Sequence, residues 1–202
     1  MYTDKKRTYR RVVGGIAWPG NLPGFAVILG EEIYPAVGSK DHHLYVLAEV
    51  EEMDVYTLFK RSVELSAKYH ASFFYGRHDL AMINSLNLWN RNSLEKETAV
   101  LNFDRAPFSK DGNISYHMNT LKNLLLPERK LLHLSDGIKS PKLPAFIQSL
   151  PPNVYAAATD IEYPVVAALG YAVTLLVEFR NYDYEEGEKG RSIDDFDPIT
   201  GY

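Results

Sequence analysis

The chain has 202 residues, a formal net charge of −4, 46% apolar and 24% charged residues, and no cysteine. That length supports one domain with a full core rather than two, and the composition is that of an ordinary water-soluble globular protein. Without cysteine there is no disulfide framework, thiolate zinc site or cysteine nucleophile, a usage that suits a reducing cytoplasm. The charged start, Met1-Tyr2-Thr3-Asp4-Lys5-Lys6-Arg7, leads into no apolar stretch of signal-peptide type. The longest apolar run, at 165–177, is shorter than the roughly 20 residues of a membrane span and reads as a buried helix. The expected location is therefore the cytoplasm.

A hairpin opens the patterned part of the chain. Residues 12–17 and 25–30 are rich in β-branched and aromatic types, and the turn Trp18-Pro19-Gly20-Asn21-Leu22-Pro23-Gly24 separates them. A third strand is expected at 43–50. After it a helix runs from Asp54, its N-cap, to Tyr69, with Val55, Leu58, Phe59 and Val63 on one face and Lys60, Glu64 and Lys68 on the other. Residues 71–75 form a short apolar run ending at Gly76, which fits a buried strand. Strand, helix and strand in that order imply a right-handed crossover and a parallel pair.

Farther on, the pattern predicts a helix at 78–89 with Leu80, Ile83 and Leu86 or Leu88 inward, and a strand at 98–103. A helix starting near Asn113 carries Ile114, Met118, Leu121 and Leu125 on one stripe and stops at Pro127. An edge strand at 130–134 and a short helix at 143–150 follow. A linker of prolines and small residues at 151–158 leads to Thr159-Asp160-Ile161-Glu162-Tyr163-Pro164, where side-chain oxygens and a first-turn proline suit a helix start. The helix after it places Val165, Leu169, Ala172, Leu176 and Phe179 on a stripe.

Charge is unevenly spread. Lys5, Lys6, Arg7, Arg10 and Arg11 crowd the start, while Asp183, Glu185, Glu186, Glu188, Asp194, Asp195 and Asp197 crowd the end. This divides the chain into a basic arm (1–11), a domain (12–180) and an acidic mobile tail (181–202), with two solvated termini as the plain alternative. Overall acidity argues against strong nonspecific DNA binding.

The order of elements resembles an RNase H-like fold: α/β, a mixed sheet made of an antiparallel hairpin plus parallel strands, flanked by helices. More narrowly, residues 10–180 resemble the nuclease domain of phage terminase large subunits. The resemblance is carried by the hairpin, by Leu44-Tyr45-Val46-Leu47 followed by a helix, by Asn119-Thr120-Leu121-Lys122-Asn123-Leu124-Leu125-Leu126-Pro127-Glu128-Arg129-Lys130-Leu131, and by Ala168-Leu169-Gly170-Tyr171-Ala172. It implies three carboxylates at the carboxyl end of the sheet holding two divalent ions, Mg²⁺ or Mn²⁺, about 4 Å apart for phosphodiester hydrolysis. It also implies DNA, a packaging motor and other phage proteins as partners.

Here the sequence departs from the pattern. The first-strand aspartate falls at Ala17 or Trp18, the acidic residue before the closing-helix run is Ala167, and the fourth strand ends at Gly76, with Arg77, His78 and Asp79 just after it. The expectation is a nuclease-like domain without metals, serving viral DNA packaging through nucleic-acid or protein binding. A shifted register leaves an active alternative, a Mg²⁺ or Mn²⁺ endonuclease with Asp79, Asp160 and Glu162 as metal ligands and catalytic groups, joined by Glu49 or Glu51. The plain roles are a helix cap for Asp79 and Asp160 and a solvated strand end for Glu49 and Glu51. A third alternative is a structural protein that docks through its acidic tail.

Arg7, Arg10, Arg11, Trp18, Arg77 and His78 are the candidate nucleic-acid contacts, with Tyr9 among the arginines and Arg91, Arg105 and Lys110 in segments after strand ends. Trp18 as a cover for the core edge is the bland alternative. His42 and His43 are adjacent, would point to opposite sides in a strand, and read as loop residues, while His70, His117 and His133 are scattered, so a zinc site is not expected. There is no Gly-x-Ser-x-Gly elbow, and Gly14, Gly15, Gly20 and Gly24 match neither a phosphate loop nor a dinucleotide loop. Any energy for packaging would come from another chain.

Overall fold

The longest apolar strands form the middle of a single sheet because each has a partner on both sides. The computed structural model describes residues 1–4, 7–33, 43–71, 73–77, 82, 84–88, 102–105, 115–125, 131–134 and 163–189. Its strands are Tyr2–Thr3 (β1), Thr8–Ala17 (β2), Gly24–Glu32 (β3), Leu44–Glu52 (β4), Phe73–Gly76 (β5), Asn102–Arg105 (β6) and Leu132–His133 (β7). Its helices are Val55–Tyr69 (α1), Ser115–Leu125 (α2) and Pro164–Lys189 (α3).

The sheet runs β6-β5-β2-β3-β4-β7, with β1 beside the start of β2. β2, β3 and β4 form an antiparallel meander. β5 lies parallel to β2, β6 parallel to β5 and β7 parallel to β4. This is a mixed α/β sheet consistent with the RNase H-like fold.

The strand-helix-strand unit is corrected in one respect. β4 and β5 run the same way but are not neighbours, because the crossover carries the chain past β3 to the far edge of β2. Glycine explains that choice. Gly14 is the Cα partner of Phe74, and a β-carbon on Gly14 would collide with the Phe74 ring. The bare backbone of β2 thus receives the aromatic ring of β5. The first strand also starts earlier than expected, at Thr8, with a bulge between Tyr9 and Arg11, so Arg10 and Arg11 belong to the sheet.

Two apolar layers cover the sheet. On one face α1 sets Leu58, Phe59 and Val63 against Ile16, Ala26 and Ile28. Its start is fixed as expected: the Asp54 carboxylate accepts a hydrogen bond from Thr57 N at 2.6 Å, which holds that carboxyl below its ordinary range. Its end turns through His70 at φ 57°. Leu86 is buried on the same side while Leu88 is 57% exposed, which settles which of the two points inward.

On the other face lie α2 and α3. Met118 and Leu121 of α2 are buried, as the stripe predicted. The closing helix begins at Pro164 but is not limited to one apolar stripe, since every residue from Val166 to Leu176 is buried. It lies between β2 and α2, and both contacts need small residues. A β-carbon on Gly15 would collide with the Ala168 carbonyl oxygen and lie 2.7 Å from Ala172 N, and one on Gly170 would lie 3.2 Å from the His117 β-carbon. His117 is buried and Thr174 fixes its tautomer. The Thr174 hydroxyl donates to Gly170 O at 2.8 Å, so its oxygen accepts from His117 Nδ1–H, also at 2.8 Å.

The helix continues to Lys189, through residues read as the start of a tail. The expected helix at 143–150, the linker at 151–158 and the caps at Thr159 and Asp160 lie outside the described residues. No helix among the described residues is long and apolar enough to cross a membrane.

Because α3 meets β2 backbone to backbone, Gly15→Ala is expected to destabilise the protein by at least about 2 kcal/mol in denaturant unfolding. Gly20→Ala is the control, since a β-carbon there meets nothing within 4 Å; it is expected to change stability by less than about 0.5 kcal/mol.

Candidate functional site

Parallel β2 and β5 end side by side, with Ile16 opposite Gly76, and α3 packs on β2 at Gly15 through Ala168 and Ala172. Sheets of this class present ligands at the carboxyl ends of their strands. Ala17 is 1% exposed and Ala167 is fully buried, and both belong to one apolar cluster with Phe25 and Ala168. Methyl groups offer no lone pair to a hard cation, and the low-dielectric layer around them penalises charge. These positions do not fit the two-metal centre that the resemblance implies.

The carboxylates of β4 share that face. Ala17 pairs with Phe25 and Phe25 with Glu51; Gly15 pairs with Val27 and Val27 with Glu49. Glu51 is exposed and Glu49 half-buried. One strand separates each from β2, a backbone distance of about 10 Å at the usual strand spacing, and Phe25 stands in the Glu51 row. Among the described residues no group of three or more histidine, aspartate or glutamate side chains is placed to hold a metal ion. Asp79, Asp160, Glu162 and His78 lie outside the described residues.

Trp18 is half-buried and packs on the α1-side cluster, covering the edge of the core. Arg77, just past the end of β5, is exposed. Arg7, Arg10 and Arg11 stand at the opposite end of β2. From Arg11 to Trp18 the strand spans about 23 Å, so the candidate nucleic-acid contacts divide into two separate groups.

The arginine group is tied into the fold. Arg11 Nε meets Glu31 Oε2 at 2.8 Å and Arg10 Nε approaches the same oxygen at 4.0 Å. Glu31 is 1% exposed and would be costly to bury without its cations. Arg7 lies 3.6 Å from Glu32 and 4.2 Å above the Tyr45 ring. The Tyr45 hydroxyl donates to Glu32 at 3.1 Å, and the Tyr9 hydroxyl donates to Asp4 at 3.0 Å. Side by side on β4 and β7, Tyr45 and His133 are Cα partners and stack with ring centres 4.3 Å apart. His133 Nε2 in turn lies 2.8 Å from His43 Nδ1.

The sequence reading missed this second cluster. The pairing of Arg11 with Glu31 was within reach, since a hairpin closing at Trp18 to Gly24 brings Glu31 and Glu32 back beside the arginines. The histidine contact had no local signal, because it joins residues brought together only by β7 pairing with β4.

Burial raises the Tyr9 phenol well above its ordinary value of 10.0, and the hydrogen bond to Asp4 adds to the shift. Burial, then the bond to Glu32, raises Tyr45 in the same direction. In the folded state both phenols keep protons that the unfolded chain has already lost, so their contribution is fully present below about pH 10 and declines above it. Urea midpoints are expected to hold steady from neutral pH to about 9.5 and to fall beyond 10, with a shallower fall in Tyr9→Phe.

No protein-family model matches the chain, and no curated protein matches it. Among solved structures, the crystal structure of the g2p (large terminase) nuclease domain from bacteriophage SPP1 with bound Mn is similar at 13% identity and a TM-score of 0.35. The match covers 58% of this chain and 62% of that one, less than two thirds of its length. A score this low gives no ground for transferring chemistry.

Proposed function

We propose that this chain is a terminase-nuclease-like domain that has lost two-metal chemistry and serves viral DNA packaging in the host cytoplasm by binding nucleic acid or protein. The observation that carries the reading is the burial of Ala17 and Ala167 in one apolar cluster, where the resemblance calls for metal-binding carboxylates. A carboxylate at either position would be desolvated beside aliphatic groups, and restoring one ligand would not restore a site. Trp18 and Arg77 at the carboxyl end are the proposed nucleic-acid contacts, with His78, next in sequence to Arg77, as a further one and Arg10, 45% exposed, as an outlying one. The acidic tail is a candidate dock for a basic partner from the packaging apparatus.

The competing reading is an active endonuclease using Asp79, Asp160 and Glu162 with Mg²⁺ or Mn²⁺. Plasmid nicking with either ion decides between them. No metal-dependent nicking above the buffer level is expected; robust nicking that disappears in Asp160→Ala would overturn the proposal. Ala17→Asp is expected to lower stability by about 3 kcal/mol or more, whereas a tolerated aspartate that brought in Mn²⁺ binding would mean a hydrated site at that end of the sheet.

A further inference from the structure

We infer that the rim formed by the β2–β3 turn and the start of α1 is a docking surface for a short protein segment that joins apolar side chains to lysine or arginine. This does not rest on the packaging proposal. Ala17 is the partner of Phe25 and Gly24 that of Glu52, so the turn at 18–24 and the junction of β4 with α1 lie side by side at one end of the sheet. On this rim stand Leu22, Met53 and Tyr56, which are 45%, 60% and 57% exposed. They are three of the six large apolar side chains exposed among the described residues, a clustering that scattered surface apolar groups do not show.

The three side chains are carried on fixed backbone. Gly20 N–H donates to Leu22 O at 3.1 Å, which tightens the turn. A β-carbon on Gly24 would collide with the Pro19 ring and with Leu58, so the bare backbone there lets the turn fold down onto α1. Leu58 N–H donates to Asp54 O at 2.9 Å, and the Asp54 carboxylate caps Thr57 N, which holds Tyr56 in the first turn of the helix. The Tyr56 ring lies 6.5 Å from that of Phe59. A surface ordered in advance loses little conformational freedom when it binds.

Size and charge select the occupant. Three side chains exposed to this degree present on the order of 300 Å², the scale of a functional patch. A stable dimer needs roughly 800 Å² from each partner, so a short segment fits better than a second copy of the chain. The turn at 18–24 carries no charge, while residues 51–64 hold Glu51, Glu52, Asp54 and Glu64 against Lys60 and Arg61. Arg61 Nε meets Glu52 at 2.9 Å. The net negative charge of the rim favours a cationic segment and repels the phosphates of a nucleic acid. Met53 and Tyr56 follow β4, three strands along the sheet from β5 and Arg77, which separates them from the nucleic-acid contact proposed there.

The test is amide shift mapping in the ¹⁵N-labelled full chain, titrated in turn with a short amphipathic Leu/Lys peptide, its Leu/Glu counterpart and an oligothymidylate. The Leu/Lys peptide is expected to give saturable shifts centred on Leu22, Met53 and Tyr56, and its Kd is expected to rise at least about fivefold in Met53→Ser and in Tyr56→Ser. Both positions are exposed, so the two variants are expected to keep the wild-type urea midpoint, which separates lost binding from lost fold. No saturable shifts with the Leu/Lys peptide, shifts centred on the acidic residues 183–197, a Kd unchanged in both variants, or equal binding of the Leu/Glu peptide would overturn the inference. Shifts of the same three residues with oligothymidylate would overturn it in favour of a nucleic-acid surface.

Discussion

The close approach of α3 to β2 at Gly15 governs most of what surrounds it. Helix backbone lies on strand backbone there with no β-carbon between them, so neighbouring positions on both elements must be small. Ala17, Ala167 and Ala168 satisfy that requirement. On its outer side the helix is held by His117 in the notch at Gly170, with the Thr174 hydroxyl as the polar link. Gripped on both sides, the helix is buried around its whole circumference from Val166 to Leu176, which explains why one apolar stripe does not describe that part of it. The same tightness bears on chemistry, because two hydrated cations and their carboxylates need space and polarity where the packing supplies methyl groups.

Charge in this fold is arranged largely for its own support at the far end of β2. Glu31 is inside the protein because Arg11 and Arg10 reach it, and the bulge between Tyr9 and Arg11 lets consecutive arginines approach one carboxylate. A second ion pair, Arg7 with Glu32, is capped by the Tyr45 ring. Any phosphate binding through these arginines would compete with internal partners. At the carboxyl end, just past β5, the Arg77 side chain is exposed.

Much of the fold was legible in the sequence because its signals are local. The Pro/Gly turn at Trp18 to Gly24 specifies the hairpin, Asp54 caps α1 through Thr57 N, and Pro164 starts α3. Glu49 and Glu51 were legible only as candidates from the third strand; the register of β2, β3 and β4 puts them on the face that carries Ala17. What escaped depends on long-range pairing. The choice of β2 over β4 as the partner of β5 follows from Phe74 covering Gly14, and the His43 to His133 bond follows from an edge strand that returns late in the chain. The two alanines read as departures from the terminase pattern lie far apart in sequence and fall within one apolar cluster.

The most direct test of the central claim is a map of Mn²⁺-induced line broadening in the amide spectrum of the protein. If the carboxyl end of the sheet has no metal centre, Ala17, Trp18, Gly76 and Arg77 should broaden no more than exposed amides elsewhere. Saturable broadening centred on those four residues at low Mn²⁺ would contradict the account and restore a metal site to that end of the sheet.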